Sequence, residues 1–326
     1  MTVTTSRRLA LSAPLLGLAA GRALAQGVPV NPVEEGMARF AALSGSTGAE
    51  VVVDDPAGAW RVGQDADKPL FVGSVIKTFI LAAYLLEVEA GRLEMTEQLP
   101  VNDGIRSMVS PVLGEVTGTM PAKMVLEAMI AHSDNTATDI ALKRVGVEKV
   151  RAVVAAAPLR DVAVVTSTRR LFSWLAGAAP GQDLDWAGMQ GVMADRLPGT
   201  PRAIAVTGDT MAAPASSMTG WYRHVLSGRV FQRPTALSEF KRISAMADAL
   251  SFIVPADIAA YGKGGSIVWR GENALSVAGQ MVVRGIPASF SFTRNWPGEP
   301  EKVPAETLAT IEVVRAILAA VARRIG

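Results

Sequence analysis

The distribution of strand-like and helical segments constrains the fold of this chain more than any other feature. Strand-like segments occur near both ends of the chain, and helical segments fill its middle. The predicted strands are 49–53, 59–62, 263–269, 275–283 and 288–293. Amphipathic helices are predicted at 31–43 and 304–324. We therefore predict an α+β fold, with an antiparallel sheet flanked by N- and C-terminal helices and an interleaved all-helical lobe.

The first residues have the pattern of an export signal. Arg7 and Arg8 precede a short apolar run, and Ala23-Leu24-Ala25 is typical of a cleavage site. The run is shorter than the roughly 20 residues that span a bilayer. We predict a twin-arginine signal peptide at 1–25, a periplasmic or secreted location, and no membrane span after signal removal.

The remaining residues, 26–326, are predicted to form one domain. Its α/β part covers about 31–70 and 250–326, and its helical lobe covers about 71–249. The interval 158–215 has many Gly, Pro and Ala residues and is predicted to be loop-rich with short helices.

Composition excludes several kinds of site. The chain has no cysteine and two histidines, which rules out disulfides and thiolate metal sites and disfavours a histidine zinc site or a Ser-His-Asp triad. Removal of residues 1–25 leaves 29 basic and 30 acidic residues, a net charge of −1, and no basic run with interleaved aromatics indicates nucleic-acid binding. We expect a monomer with no metal and no organic cofactor.

Ser74 and Lys77 begin the most strongly helical segment, 74–90. Residues at i and i+3 share a helix face, so the lysine amine can reach the serine hydroxyl and, when neutral, remove its proton. The N–H groups of a helix N-terminus can also face a developing oxyanion. Alone the pattern is weak, because Ser238 and Lys241 repeat it and because Ser74 would also serve as a helix N-cap.

A second motif, Ser133-Asp134-Asn135, lies between predicted helices at 121–131 and 137–145. The Ser133 hydroxyl can pass a proton to a leaving atom, and the Asn135 amide can bind an amide group of a substrate. Asp134 and Asn135 are also good helix caps, which is the structural alternative.

A third motif, Lys263-Gly264-Gly265-Ser266, begins a predicted strand. Glycines on a strand permit close approach of a ligand. Lys263 can hold a carboxylate, and the Ser266 N–H can be a second oxyanion donor. The alternative is an ordinary turn at the start of a strand.

In this order, the three motifs resemble those of class A β-lactamases and penicillin-binding proteins, which are serine hydrolases. The similarity covers about 33–145 and 215–324. It implies a β-lactamase-like catalytic domain in which Ser74 is acylated by a β-lactam, amide or peptide. Lys77 is then a candidate base, and Ser133 passes the proton to the departing nitrogen.

The resemblance also implies binding roles. The main-chain N–H groups of Ser74 and Ser266 would form the oxyanion hole. The residues implied to bind the substrate are Asn135, Lys263, Gly264 and Gly265.

The sequence departs from this family at two functional positions. Class A enzymes carry a glutamate in the context E-x-x-L-N, which activates the water that frees the acyl-enzyme, whereas the corresponding stretch here, 166–172, has no acid. The substitutes that the sequence offers are Asp161, Asp183, Asp185 and Asp195. Gly264 replaces the usual Ser or Thr, which predicts weaker binding of a substrate carboxylate. The long interval between Ser133 and Lys263 predicts an insertion near 172–215.

These departures leave three functions open. The first is a working β-lactamase. The second is a D-alanyl carboxypeptidase- or esterase-like hydrolase. The third is a non-catalytic protein that binds β-lactams or cell-wall fragments. In each, the partner is a small molecule or peptide.

Overall fold

The computed structural model describes residues 31–326. Its main sheet has five antiparallel strands in the order β2-β1-β9-β8-β7. These strands are Ser46–Val53 (β1), Trp60–Gln64 (β2), Ala259–Trp269 (β7), Glu272–Val283 (β8) and Ile286–Pro297 (β9). The pairing of β1 with β9 joins the two ends of the chain, which confirms the predicted sheet.

Eleven α-helices occur within residues 31–326. They are Pro32–Ala41 (α1), Lys77–Glu89 (α2), Ala122–Ala131 (α3), Asn135–Val145 (α4), Val147–Ala156 (α5), Thr168–Leu175 (α6), Asp185–Met193 (α7), Ala215–Leu226 (α8), Pro234–Ser244 (α9), Ala249–Ile253 (α10) and Val303–Ile325 (α11). Short 3₁₀ turns at Gly73–Ile76 and Pro300–Lys302 precede α2 and α11.

The helical lobe also contains strands, which the prediction of an all-helical lobe missed. Two short two-stranded sheets are formed by Leu70–Phe71 (β3) with Ala212–Ala213 (β6), and by Gln98–Val101 (β4) with Gly118–Pro121 (β5). Such two- and four-residue strands carry little periodicity, and their pairing depends on contacts far along the chain.

Helices cover the main sheet on both faces. Every residue of β9 from 288 to 294 is buried, so neither face of this strand is open to solvent. Phe292 of β9 meets Phe40 of α1 edge-to-face at 5.4 Å, and α8 packs against β1, β8 and β9. The completely buried Arg294 joins these layers, since its guanidinium donates to the Ser44 carbonyl at 2.9 Å and to the Thr310 hydroxyl at 2.8 Å.

Helix α2 is the centre of the helical lobe. Its residues from 77 to 85 are all buried, as expected for a helix that is apolar on every side. The Trp221 indole of α8 donates to the Thr78 hydroxyl at 2.9 Å. The Asn295 side chain exchanges two hydrogen bonds of 2.9 Å with the backbone of Phe71, which attaches the segment before α2 to β9. The start of α2 is therefore held against the main sheet.

Candidate active site

Ser74 lies in the 3₁₀ turn at Gly73–Ile76, and the α-helix begins only at Lys77. The helix predicted to begin at Ser74 therefore starts with a tighter turn. Gly73 has a φ of +54°, a left-handed conformation that glycine adopts without steric cost. Ser74 is half-buried and lines a cavity of about 830 Å³. Within residues 31–326, its hydroxyl has no hydrogen-bond partner.

Lys77 lies beneath the cavity and is completely buried. Its amine donates to the Ser133 carbonyl at 2.6 Å and to Asn135 Oδ1 at 2.8 Å, and lies 3.3 Å from Ser133 Oγ. Burial, aided by the nearby charge of Lys263, holds the pKa of the Lys77 amine well below its usual range. A neutral amine has two N–H donors, which the two carbonyl-type oxygens use, so its lone pair remains for the Ser133 hydroxyl.

The second motif is held by its aspartate. The buried Asp134 carboxylate caps α4 through the Ala137 N–H at 2.8 Å and also accepts the N–H groups of Val112 and Leu113, at 2.9 and 2.8 Å. Ser133 has a φ of +58°, and both its hydroxyl and its carbonyl approach Lys77. Asp134 therefore has the structural role that capping chemistry predicts, while Ser133 lines the cavity.

Asn135 connects Lys77 with the wall of the cavity. Its Oδ1 accepts from Lys77, and its Nδ2 donates to the Met108 carbonyl at 3.1 Å. The neighbouring Val109 is 63% exposed at the wall of the cavity and has a φ of +59°, a strained value for a β-branched residue.

The third motif places the edge strand β7 against the Ser74 turn. A β-carbon on Gly265 would lie 2.8 Å from the Ser74 backbone nitrogen, and one on Gly73 would lie 3.3 Å from the Ser266 nitrogen. Only glycine at both positions allows the backbones to approach this closely. The Ser74 and Ser266 nitrogens are thereby neighbours at the cavity wall.

Lys263 is buried, and its amine donates to the Gly264 carbonyl at 2.7 Å. Burial lowers the pKa of this amine to about 8, and the carboxylate of Asp248 partly opposes the shift. Gly264 faces α10, because a β-carbon there would lie 2.5 Å from Ala249 Cβ. Helix α10 therefore occupies the space that a Ser or Thr side chain would need.

None of the four aspartates proposed as substitutes for the loop glutamate lines the cavity that contains Ser74. Asp183 instead receives a two-pronged ion pair from Arg169, at 2.7 and 2.8 Å, and Asp195 pairs with Arg270. These pairs attach the chain between α6 and β6 to its surroundings, which is a structural role.

The stretch 166–172, which the sequence analysis compares with E-x-x-L-N, lies at the start of α6. With Leu171 at the leucine, Thr168 takes the place of the glutamate and Phe172 that of the asparagine. Thr168 is completely buried, and its hydroxyl contacts the Ser107 hydroxyl at 2.9 Å, whereas Phe172 lines the cavity. Of this stretch, Phe172 therefore reaches the cavity, and no acid does.

Two titratable residues of the cavity were not among the predicted site residues. His132 and Asp248 both line the cavity and are exposed, and the Asp248 N–H donates to the Ala131 carbonyl at 3.2 Å. Among residues 31–326, Asp248 is the one carboxylate at the cavity. No local pattern identifies it, because the approach of α10 to the end of α3 is a long-range contact.

Comparison with known proteins identifies the family of this chain. The model of the beta-lactamase enzyme family matches residues 33–235, more than half of the chain. The chain belongs to this family. No curated protein sequence matches it significantly.

Solved β-lactamases share the fold. A beta lactamase from Xanthomonas campestris is 17% identical, with a TM-score of 0.68 over 90% of this chain and 97% of that chain. One from Sphaerobacter thermophilus is 18% identical, with a TM-score of 0.69 over 92% and 98%. A reconstructed ancestral class A β-lactamase of Gram-negative bacteria is 18% identical, with a TM-score of 0.68 over 88% and 99%.

A cluster that could hold a metal ion and a helix that could cross a bilayer are both absent from residues 31–326. Within this range, no cluster of three or more His, Cys, Asp or Glu side chains is arranged to hold a metal ion. No helix there has both the length and the apolar character needed to cross a bilayer. The predicted signal peptide, 1–25, lies outside the described residues.

Proposed function

We propose that this protein is a serine hydrolase that is acylated at Ser74 by β-lactams or related amides and esters, and that it releases the acyl group slowly. The observation that carries the proposal is the meeting of three distant stretches at one cavity. Ser74, Ser133 and Ser266 all line this space, which supports the proposal. An uncommitted hydroxyl beside two backbone donors is the arrangement that acyl transfer requires.

In the proposed reaction, Ser74 Oγ attacks the carbonyl carbon, and the oxygen of that carbonyl accepts from the Ser74 and Ser266 N–H groups. The hydroxyl proton passes to the neutral Lys77 amine and then, through Ser133, to the leaving nitrogen as the carbonyl–nitrogen bond breaks. The 3.3 Å separation of Lys77 Nζ from Ser133 Oγ supports this route. Asn135, Lys263, Gly264 and Gly265 are proposed to align the substrate along β7.

Slow release follows from the surroundings of the acylated serine. Water needs a base to attack the acyl-enzyme, and a general base is typically worth about 10²–10⁴ in rate. Thr168 and Phe172 supply none, and none of the aspartates of the 158–215 region lines the cavity. Asp248, the one carboxylate among residues 31–326 that does, interacts with the charge of Lys263. We therefore expect acylation to outpace deacylation.

The test uses a fluorescent penicillin and a chromogenic cephalosporin. With the penicillin, we expect one label per protein that persists for many minutes. With the cephalosporin, we expect hydrolysis at a rate limited by release of its acyl group from Ser74. Labelling should vanish in Ser74→Ala and fall about 10²–10⁴-fold in Lys77→Met. Ser238→Ala, in the second S-x-x-K sequence, is the matched control and should label fully. Unchanged labelling of Ser74→Ala would refute the proposal.

Export completes the proposal. We propose that residues 1–25 direct the protein to the periplasm or the medium by the twin-arginine route. Replacing Arg7 and Arg8 with lysine should retain the protein in the cytoplasm, as judged by fractionation. Normal export of that variant would refute the twin-arginine assignment.

A further inference from the structure

Asp248 is placed at the cavity by two contacts with distant parts of the chain. Its N–H donates to the Ala131 carbonyl at 3.2 Å, at the end of α3. The residue after it, Ala249, packs against Gly264, because a β-carbon on this glycine would lie 2.5 Å from Ala249 Cβ. Lys263 precedes that glycine on β7. Asp248 and Lys263 therefore lie in the same part of the fold, and both line the cavity.

The carboxylate of Asp248 is not used by the fold. The side chain is exposed, and although Asp248 stands at the N-cap position of α10, it makes no capping hydrogen bond. Across the part of the chain that the structure describes, the carboxylate accepts no hydrogen bond and has no cation within 4 Å. Both of its oxygens are therefore free to act on a ligand in the cavity.

The negative charge of Asp248 acts on Lys263. Burial lowers the pKa of the Lys263 amine to about 8, and the Asp248 carboxylate partly opposes this shift. A ligand group beside Lys263 therefore experiences two opposite charges at once. A carboxylate in that position is attracted by the lysine and repelled by the aspartate, whereas an uncharged group is indifferent to both.

We propose that Asp248 determines substrate specificity by opposing the charge of Lys263, so that substrates with a carboxylate at this end of the cavity are disfavoured. The inference rests on the proposed acylation of Ser74, because it concerns the group that an acylating substrate places beside Lys263. It names the substrate class as acyl donors in which this group is uncharged or cationic. Asp248→Asn removes the negative charge and keeps the size of the side chain, so the lysine alone should then favour a carboxylate.

Two pairs of penicillins with matched shapes test this charge dependence. The first pair compares the ring carboxylate with its primary amide. The second pair compares a ring amide that ends in a trimethylammonium group with one that ends in a tert-butyl group. In every compound Ser74 Oγ attacks the lactam carbonyl carbon, the lactam carbon–nitrogen bond breaks, and the nitrogen takes the serine proton. The protein thus gains the whole mass of the compound, and mass spectrometry of the intact protein gives the second-order rate of acylation.

The rates are measured at about pH 6.5, below the Lys263 pKa of about 8, so that the lysine is charged. In the parent protein, the amide should react at least as fast as the carboxylate, and the trimethylammonium compound at least as fast as its tert-butyl partner. Asp248→Asn should raise the carboxylate-to-amide ratio about fivefold and lower the trimethylammonium-to-tert-butyl ratio about fivefold, as expected for one unit charge a few ångströms away.

Two controls separate the charge from other effects of the substitution. Asp257→Asn is the matched variant, because Asp257 is also exposed, does not line the cavity, and has a φ of +65°, which asparagine tolerates. Its two rate ratios should equal those of the parent protein. Salt is the second control, because the Debye length falls to about 3 Å at 1 M, where the change caused by Asp248→Asn should shrink to less than about twofold.

The outcomes separate this inference from the proposed function. If Ser74 is acylated but the rate ratios are equal in Asp248→Asn and the parent, or change equally in Asp257→Asn, the inference is overturned and the acylation proposal stands. A parent protein that prefers the carboxylate about tenfold or more overturns it as well.

If no compound acylates Ser74, the acylation proposal fails, and calorimetry tests the charge effect alone. The four compounds are then titrated into Ser74→Ala and into the double variant that also carries Asp248→Asn. A shift of about fivefold in relative affinity toward the carboxylate in the double variant supports the role of Asp248. Equal dissociation constants in the two variants, or absence of binding, overturn it.

Discussion

The contact between Gly264 and Ala249 predicts that restoring the family's hydroxyl destabilises this protein. A β-carbon at position 264 would lie 2.5 Å from Ala249 Cβ, and an alanine side chain has no rotamer that moves it away. In Gly264→Ser, helix α10 or strand β7 must therefore shift. Overpacking of this kind typically costs about 1–3 kcal/mol of unfolding free energy.

A second substitution should recover most of that cost. Ala249→Gly removes the opposing methyl group and by itself costs about 0.5–1 kcal/mol, because glycine weakens a helix. In the double variant the two backbones should fit, so we expect a favourable coupling energy of about 1–2 kcal/mol. This coupling energy comes from the contact between the two β-carbons at positions 264 and 249.

Urea unfolding of the parent, both single variants and the double variant measures the coupling. Gly58→Ser is the matched control, since Gly58 has no atom within 4 Å of its added β-carbon, and it should change stability by less than about 0.5 kcal/mol. Equal urea midpoints for Gly264→Ser and the parent would refute the reasoning.

Three further predictions concern stability. Asp134→Ala leaves three backbone N–H groups without their acceptor and should cost about 3–5 kcal/mol by urea unfolding; a loss below about 1 kcal/mol would contradict the capping role. The pKa of Lys263 is lowered to about 8 in the folded state, so the folded protein binds fewer protons than the unfolded chain between about pH 8 and 10. The free energy of unfolding should therefore rise with pH in this range by up to about 1.4 kcal/mol per pH unit more than in Lys263→Met. Equal pH dependence of unfolding in the two proteins would exclude the pKa shift. Val109→Asn should stabilise the protein by about 0.5–1 kcal/mol, since asparagine tolerates the φ of +59° at this position. Val112 has no positive φ, so Val112→Asn is the control and should not stabilise the protein. Equal effects of the two substitutions would rule out backbone strain at Val109.

The main sheet was predictable because its strands carry their own signals. In the segments 263–269 and 275–283, apolar residues occur in alternation or in continuous runs over the length of a strand. The short turn between them favours antiparallel pairing. The cap of α4 was predictable too, because Asp134 after Ser133 is a good N-cap residue, whereas the 3₁₀ turn that contains Ser74 has no side-chain cap.

Features that depend on contacts between distant segments were not predictable. The chain from 98 to 121 forms a two-stranded sheet, although neither strand is long enough to show a period. Asp183 was a candidate base until the structure showed its carboxylate paired with Arg169. A sequence shows which side chains can ionise, whereas their partners are chosen by the tertiary fold.

The same distinction separates the two halves of the proposed reaction. Acylation uses groups whose spacing is local, such as Ser74 with Lys77, or whose position follows from a strand edge, as for Ser266. Deacylation needs a base from a separate segment, and here that segment lines the cavity with Phe172 and buries the Thr168 hydroxyl against Ser107. Since an alcohol and a phenyl ring do not remove a proton from water at neutral pH, we expect the proposed acyl-enzyme to form faster than it is released.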